Sequence, residues 1–152
     1  MFLDEIGDLD LTMQAKLLRV LQERTFRRLG GTTDIAADFR LIAATNRDLK
    51  KEIATGAFRE DLYFRLNVVA LELPPLRQRT EDIFPLSMKA LLHYGKEFGK
   101  EVGEIDAEAR ELLERYYYPG NIRELQNIIE RATIFCKGRT LTAGCLPREM
   151  RD

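Results

Sequence analysis

Leu11, Ala15, Leu18 and Leu21 recur at helical spacing, and Leu17 and Val20 widen the stripe, so the segment from Asp10 to about Glu23 and Arg24 predicts an amphipathic helix. Ahead of it, "FLDEIGDL" (Phe2–Leu9) reads as a short apolar strand that ends in two carboxylates, Asp4 and Glu5, and then turns at a glycine. Behind it, Gly30-Gly31 separates two short β-prone stretches, which predicts a hairpin or extended loop leading into a strand at Phe39–Ala43. "DLKKEIATG" and "REDLYFRL" read as short helices, and "NVVALEL" (Asn67–Leu73) as a third strand with an almost continuous apolar run. Apolar strands alternating with helices predict a mostly parallel sheet covered on both faces.

Pro74-Pro75 stops that pattern, because neither proline can donate to a strand ladder. Past a proline linker over 74–80, everything reads as helix. One helix is expected over Glu81–Phe98, and a second from Asp106, its N-cap, to about Arg115. A third starts at Asn121, with Glu124 three residues on completing a capping box. Ile122, Leu125, Ile129, Ala132 and Cys136 form the expected buried stripe of that last helix. The fold class is therefore α/β followed by all-α, with a partial α/β subdomain over 1–73 and a three-helix subdomain over 81–152.

Composition narrows what such a chain does. With 152 residues, 45% of them apolar, it can bury a core as one domain, or one domain with a small appendage. The 24 basic and 25 acidic residues give a formal charge of −1 without blocks of like charge, which argues against a chain-wide nucleic-acid footprint. Cys136 and Cys145 form neither a paired CxxC site nor a disulfide framework, so reduced thiols in a cytoplasmic setting are expected. No apolar run approaches membrane-spanning length, and nothing resembles a signal peptide. A chain that opens on a strand ending in acids reads as the back part of something longer.

Carboxyl ends of strands are where open α/β sheets place their ligand crevices. There, Asp4 can hold the water shell of Mg²⁺ while Glu5 polarises an attacking water; the plainer alternative is a pair of solvent-facing acids. "AATN" would bring Thr45 and Asn46 to the same rim if the two strands are neighbours. In "FREDLYFRL", Arg59 and Arg65 suit charge stabilisation on a transferring phosphoryl group, or else pair with Glu60 or Asp61. Six residues is about 600° on a helix, so the two do not share a face. Arg123 falls in the first turn of the last helix, where an anion is favoured, or else it pairs with Glu124 or Glu130. His93 has no ligand-spaced partner, and the run Tyr116–Tyr118 suits packing better than base stacking.

Together these stretches resemble the AAA+ central domain of the NtrC-like bacterial enhancer-binding activators that work with sigma-54 RNA polymerase. The resemblance runs through "FLDEIGDL", "QAKLLRVLQE", "RLGG", "RLIAATNRDL", "GAFREDLYFRLNVV", "LPPLRQRTEDI" and "YPGNIRELQNIIERA", in family order over nearly the whole chain. It implies the C-terminal part of a parallel AAA+ P-loop NTPase sheet with a three-helix lid, ATP and Mg²⁺ as cofactors, a hexameric ring, and sigma-54 polymerase as the remodelled partner. Asp4 and Glu5 then match the Walker B pair. Thr45 and Asn46 match sensor I, whose Asn is implied to hold the Walker B glutamate. Arg59 and Arg65 match arginine fingers acting in trans, Arg123 matches sensor II, and the segment from Glu23 to Asp38 includes the second inserted loop.

Three departures qualify that expectation. No G-x-x-x-x-G-K followed by Ser or Thr occurs: "GKEFGKE" from Gly95 has the wrong spacing and lacks the hydroxyl residue. The sigma-contacting GAFTGA loop is also missing, and "TGAF" at Thr55–Phe58 is a decoy in the arginine-finger segment. Tyr118 stands where the family commonly has Trp. The parent is thus expected to be an ATPase and the isolated chain inactive. A nucleotide-blind module docking on full-length activators is the alternative, and a DNA-binding module using the last helix is a third, disfavoured by the charge balance.

Overall fold

The computed structural model describes residues 1–151 and divides the chain into two compact units, Met1–Leu71 and Glu72–Asp152. In the first, β1 (Phe2–Leu3) lies parallel to β4 (Ile42–Ala43), with Phe2 opposite Ile42 and Leu3 opposite Ala43. The pairing continues beyond the strand ends, where Ile6 N–H donates to Ala44 O at 3.0 Å. Between them come α1 (Leu11–Glu23) and a hairpin of β2 (Thr25–Phe26) and β3 (Ile35–Ala36). The hairpin forms about Gly30-Gly31 as expected. Gly30 takes φ +74°, and Arg27 clasps both carboxylate oxygens of Asp34 at 2.5 and 3.0 Å. That clasp holds the exposed Asp34 carboxyl below its usual range.

Asp10 caps α1 by accepting from Met13 N–H at 2.7 Å, and Arg24 ends it in the left-handed region. Its inward face is rotated from the predicted one. Leu18 and Leu21 are buried, Leu11 and Ala15 are exposed, and the residue completing the stripe is Gln14. Two short helices, α2 (Leu49–Ala54) and α3 (Glu60–Leu66), close the unit, with Phe58 and Leu62 packing on Leu18 and Leu21.

Two expectations about this unit need correction. Residues 67–73 are not a strand: Val68, Val69, Leu71 and Leu73 are 77–87% exposed. A strand persists only where its N–H and C=O groups find a neighbour, and none pairs with this segment among the described residues. Parallel pairing is present, but the sheet has two strands and is not covered on both faces, since Phe2 and Ile42 are more than half exposed.

In the second unit, Leu76–Gln78 and Thr80–Asp82 form 3₁₀ turns, so part of the expected linker is folded and Leu76 is a core residue. Then come α4 (Ile83–Glu97), β5 (Glu104–Ile105), α5 (Ala107–Arg115), α6 (Asn121–Phe135), β6 (Thr140–Leu141) and α7 (Arg148–Arg151). Parallel β5 and β6 and the short α7 add to the three predicted helices. Asp106 caps α5 as expected, accepting from Ala109 N–H at 2.6 Å. Ile83, Leu91, Leu113, Leu125, Ile129 and Leu141 are the centre of the core.

The capping box at α6 forms only in half. Glu124 reaches back to Gly120 N–H at 2.7 Å, but Asn121 takes φ +53° and accepts instead from Leu76 N–H at 2.9 Å. Gly120 is the residue before the helix, and its lack of a side chain lets Glu124 close on it: a Cβ there would stand 2.9 Å from that of Glu124. At the other end of α6, Lys100 Nζ donates to the carbonyls of Thr133, Ile134 and Cys136, which the helix cannot satisfy itself. Lys100→Met keeps the stem but removes these charge-assisted bonds, and should lower stability to urea unfolding by about 1–3 kcal/mol.

Tyr118 is fully buried with φ +50°, and its hydroxyl donates to Leu113 O at 2.8 Å. Burial pushes its pKa well above that of an ordinary tyrosine. A raised folded-state value means that stability is complete below the unfolded pKa of about 10 and declines as pH rises beyond it. Tyr118→Phe should therefore cost about 1 kcal/mol at neutral pH, from the lost hydrogen bond. It should also make unfolding less steeply dependent on pH above about 10, measured by urea titration across pH.

Candidate functional site

Parallel pairing sends β1 and β4 out of the sheet in the same direction, so Asp4-Glu5 and Thr45-Asn46 emerge on one rim. The approach is close. A Cβ on Gly7 would stand 2.8 Å from Thr45 Oγ1 and 3.0 Å from Arg47 Cδ, so only glycine lets the turn after the acids lie against the residues after β4. Arg47 reinforces that contact by pairing with Asp8 at 2.5 Å and reaching Glu52 at 3.6 Å. Thr45 Oγ1 accepts from Arg47 N–H at 3.1 Å. Neither the Asp8–Arg47 pair nor the place of Gln14 was foreseen from the sequence, although a glutamine set among the leucines of a helical stripe is itself a signal.

Asp4 and Glu5 are both exposed, and Asp4 Oδ1 accepts from Glu5 N–H at 3.0 Å. Glu5 has φ 53° and ψ 41°, the left-handed conformation, which costs a residue with a Cβ about 1 kcal/mol or more. No hydrogen bond joins Asn46 to Glu5 among the described residues; Asn46 is exposed and Thr45 half-buried.

The arginines divide by anchor. Arg59 stands just before α3 and binds Asp61 in bidentate fashion, Nε to Oδ1 at 3.0 Å and Nη2 to Oδ2 at 2.7 Å. This hydrogen-bonded pair holds the Asp61 carboxyl below its usual range. Arg65, in the last turn of α3, donates through Nη2 to Leu21 O at 3.1 Å. Arg123 lies exposed in the first turn of α6 with no carboxylate within 4.0 Å among the described residues. Glu124 is engaged by Gly120 and by Tyr116 Oη at 3.2 Å. Arg123 is thus an unpaired cation beside free helical N–H groups in the second unit.

Several other sequence features resolve as structure. Phe58 of "TGAF" is a core residue, 2% exposed. Tyr116 packs edge-on against Tyr118 with ring centres 5.1 Å apart, while Tyr117 is exposed under Arg77. His93 lies on the surface 3.6 Å from Glu97, and both cysteines are free.

Among the described residues, no group of three or more His, Cys, Asp or Glu could hold a metal by itself. A structural cage is thereby excluded for those residues. What remains is the donor set that Mg²⁺ takes when phosphates and waters complete its shell: one carboxylate oxygen of Asp4 not used by Glu5 N–H, on an exposed rim.

Comparison with known proteins places the two units separately. Residues 1–72 match the sigma-54 interaction domain model and residues 77–152 the AAA+ ATPase lid domain model. Regulatory protein AtoC of Escherichia coli is 50% identical over 152 residues, covering 100% of this chain and 33% of that protein. Nitrogen fixation protein VnfA of Azotobacter vinelandii is 48% identical over 150 residues, covering 99% and 29%. The crystal structure of NtrX from Brucella abortus in complex with ATP superposes with a TM-score of 0.88 at 38% identity, over 98% of this chain and 35% of that one. The chain thus spans about a third of the length of the relatives it matches. No helix among the described residues is long and apolar enough to cross a membrane.

Proposed function

We propose, from the premise that the chain belongs to the NtrC-family sigma-54-dependent activators, that it is the water-activating and finger-bearing part of their ATP-driven motor. Residues 1–73 would complete an ATPase α/β subdomain, 74–80 the linker, and 81–152 a nucleotide-sensing lid. The observation that carries this reading is the shared rim: parallel β1 and β4 bring Asp4-Glu5 beside Thr45-Asn46, with Gly7 permitting the contact.

On that rim Glu5, exposed and unpaired among the described residues, accepts the proton of an attacking water. Asp4 keeps an oxygen for the water shell of Mg²⁺, which when bound neutralises charge on the β- and γ-phosphates. Thr45 lines the rim, and Asn46 stays free to meet Glu5 or the γ-phosphate. Arg59 and Arg65 are exposed, and by leaving Asp61 and Leu21 O respectively each can serve the nucleotide of a neighbouring subunit in a hexameric ring. Arg123 supplies the lid's cation to a phosphate. The work done would be remodelling of sigma-54 polymerase in the cytoplasm, through a loop supplied by other residues of the parent.

The test is a graft of residues 1–152 into a full-length family activator in place of its matching segment. ATP turnover and open-complex formation should both persist; a graft that assembles and binds ATP but does neither would overturn the reading. The 152-residue chain alone should not hydrolyse ATP, for want of the phosphate-cradling loop. If that chain, mixed with an activator, instead changed its turnover or assembly, the nucleotide-blind docking module would take its place.

A further inference from the structure

Gln14 is wholly buried on the inward face of α1, in a position the helical stripe would give to a leucine. A primary amide is costly to bury unless its donors and acceptor are used, and here they are. Nε2 donates to Leu9 O at 2.8 Å and to Ala57 O at 2.9 Å, while Oε1 accepts from Arg59 N–H at 2.8 Å. All three partners are backbone groups, so the connections depend on this one side chain.

Those partners belong to two different parts of the proposed motor. Leu9 closes the 3₁₀ turn Ile6–Asp8 that follows Asp4-Glu5 directly. Ala57 and Arg59 flank the buried Phe58 and form the entrance to α3. Arg59 has no side-chain cap of its own at that entrance, so its backbone is fixed by Gln14 and its guanidinium by Asp61. We infer that Gln14 is a positioning residue: it joins the water-activating turn of a subunit to the arginine that the same subunit offers its neighbour. Displacement of the Glu5 turn is thereby passed through the Gln14 amide, from its bond to Leu9 O to its bond with Arg59 N–H, with the bond to Ala57 O steadying the same side chain. The inference rests on the motor reading above, and specifically on Arg59 as a finger.

A Gln14→Met exchange retains length and buried volume and removes all three bonds. In the 152-residue chain, hydrogen exchange at the Arg59 amide should quicken by about 10-fold or more, while the amides of α4 and α6 keep their rates. Unchanged protection at Arg59 would overturn the proposal. In the graft, Gln14→Met should lower kcat by about 10²-fold, the scale of a misplaced catalytic group, with KM for ATP little changed. The same exchange made on an Arg59→Ala background should add nothing further. Leu18→Ala, a cavity in the same helix, serves as control and should combine additively with Arg59→Ala. Additive losses for Gln14→Met and Arg59→Ala would refute the coupling while leaving the finger reading intact. Normal turnover by Arg59→Ala would refute the finger reading itself, and the inference with it. If Gln14→Met fails to fold, Gln14→Asn, which keeps the amide but shortens its reach, takes its place in every arm.

Discussion

Glu5→Ala, made in a full-length activator carrying residues 1–152, should bind ATP and assemble as the parent does, while turnover falls by about 10³-fold or more. The expectation follows from geometry. Glu5 is exposed on the rim and makes no side-chain bond among the described residues, so its removal leaves the sheet pair and the Gly7 turn in place. What disappears is the carboxylate proposed to take the water's proton, while Asp4 keeps its unused oxygen for the Mg²⁺ water shell. Steady-state phosphate release alongside nucleotide-analogue binding separates the two effects. Retained hydrolysis would mean that another group is the base.

Arg65→Ala is expected to cost about 10³-fold in turnover if Arg65 acts as a finger on the neighbouring nucleotide. Its present bond is a single part-buried contact to Leu21 O, which it would have to give up to reach a phosphate. Arg59 must leave Asp61 to do the same, and because that pair is exposed to water its two partners can be resolvated as they part. Both arginines therefore remain available, and mixed rings distinguish their roles. Combining Arg65→Ala subunits with Glu5→Ala subunits should restore activity, because a junction between the two can join an intact Glu5 to an intact Arg65. No recovery, or a loss of only a few-fold in the single variant, would assign Arg65 to tethering α3 onto α1.

Local chemistry was legible in the sequence where one segment decides its own conformation. Asp106 caps its helix by bonding Ala109 three residues on, and Gly30-Gly31 turns its hairpin through a bond from Gly31 N–H to Arg28 O, because those partners are close along the chain. The rim was legible conditionally, since two strands ending in acid and amide meet only if they are neighbours, and they are. Residues 67–73 misled because apolar content specifies burial, whereas strand geometry needs a second backbone alongside. Asn121 misled for a related reason. A capping side chain chooses between its own helix and any unpaired N–H nearby, and Leu76, 45 residues earlier, won. Gln14 was invisible as a tether because its partners are carbonyls and an amide far along the chain, which carry no sequence signature.

The left-handed backbone at Glu5 sets two selections against each other. Judged by conformation alone, that position favours glycine, which reaches φ 53° without crowding a Cβ. A library of a full-length activator carrying residues 1–152, screened only for heat resistance, should therefore enrich Glu5→Gly, and if Glu5 is the proposed base each survivor carrying it should be sturdier and slower in ATP turnover by about 10³-fold. The carboxylate at this turn would persist only under a screen that also demands transcription, making residue 5 an internal record of which trait a population has been asked to keep.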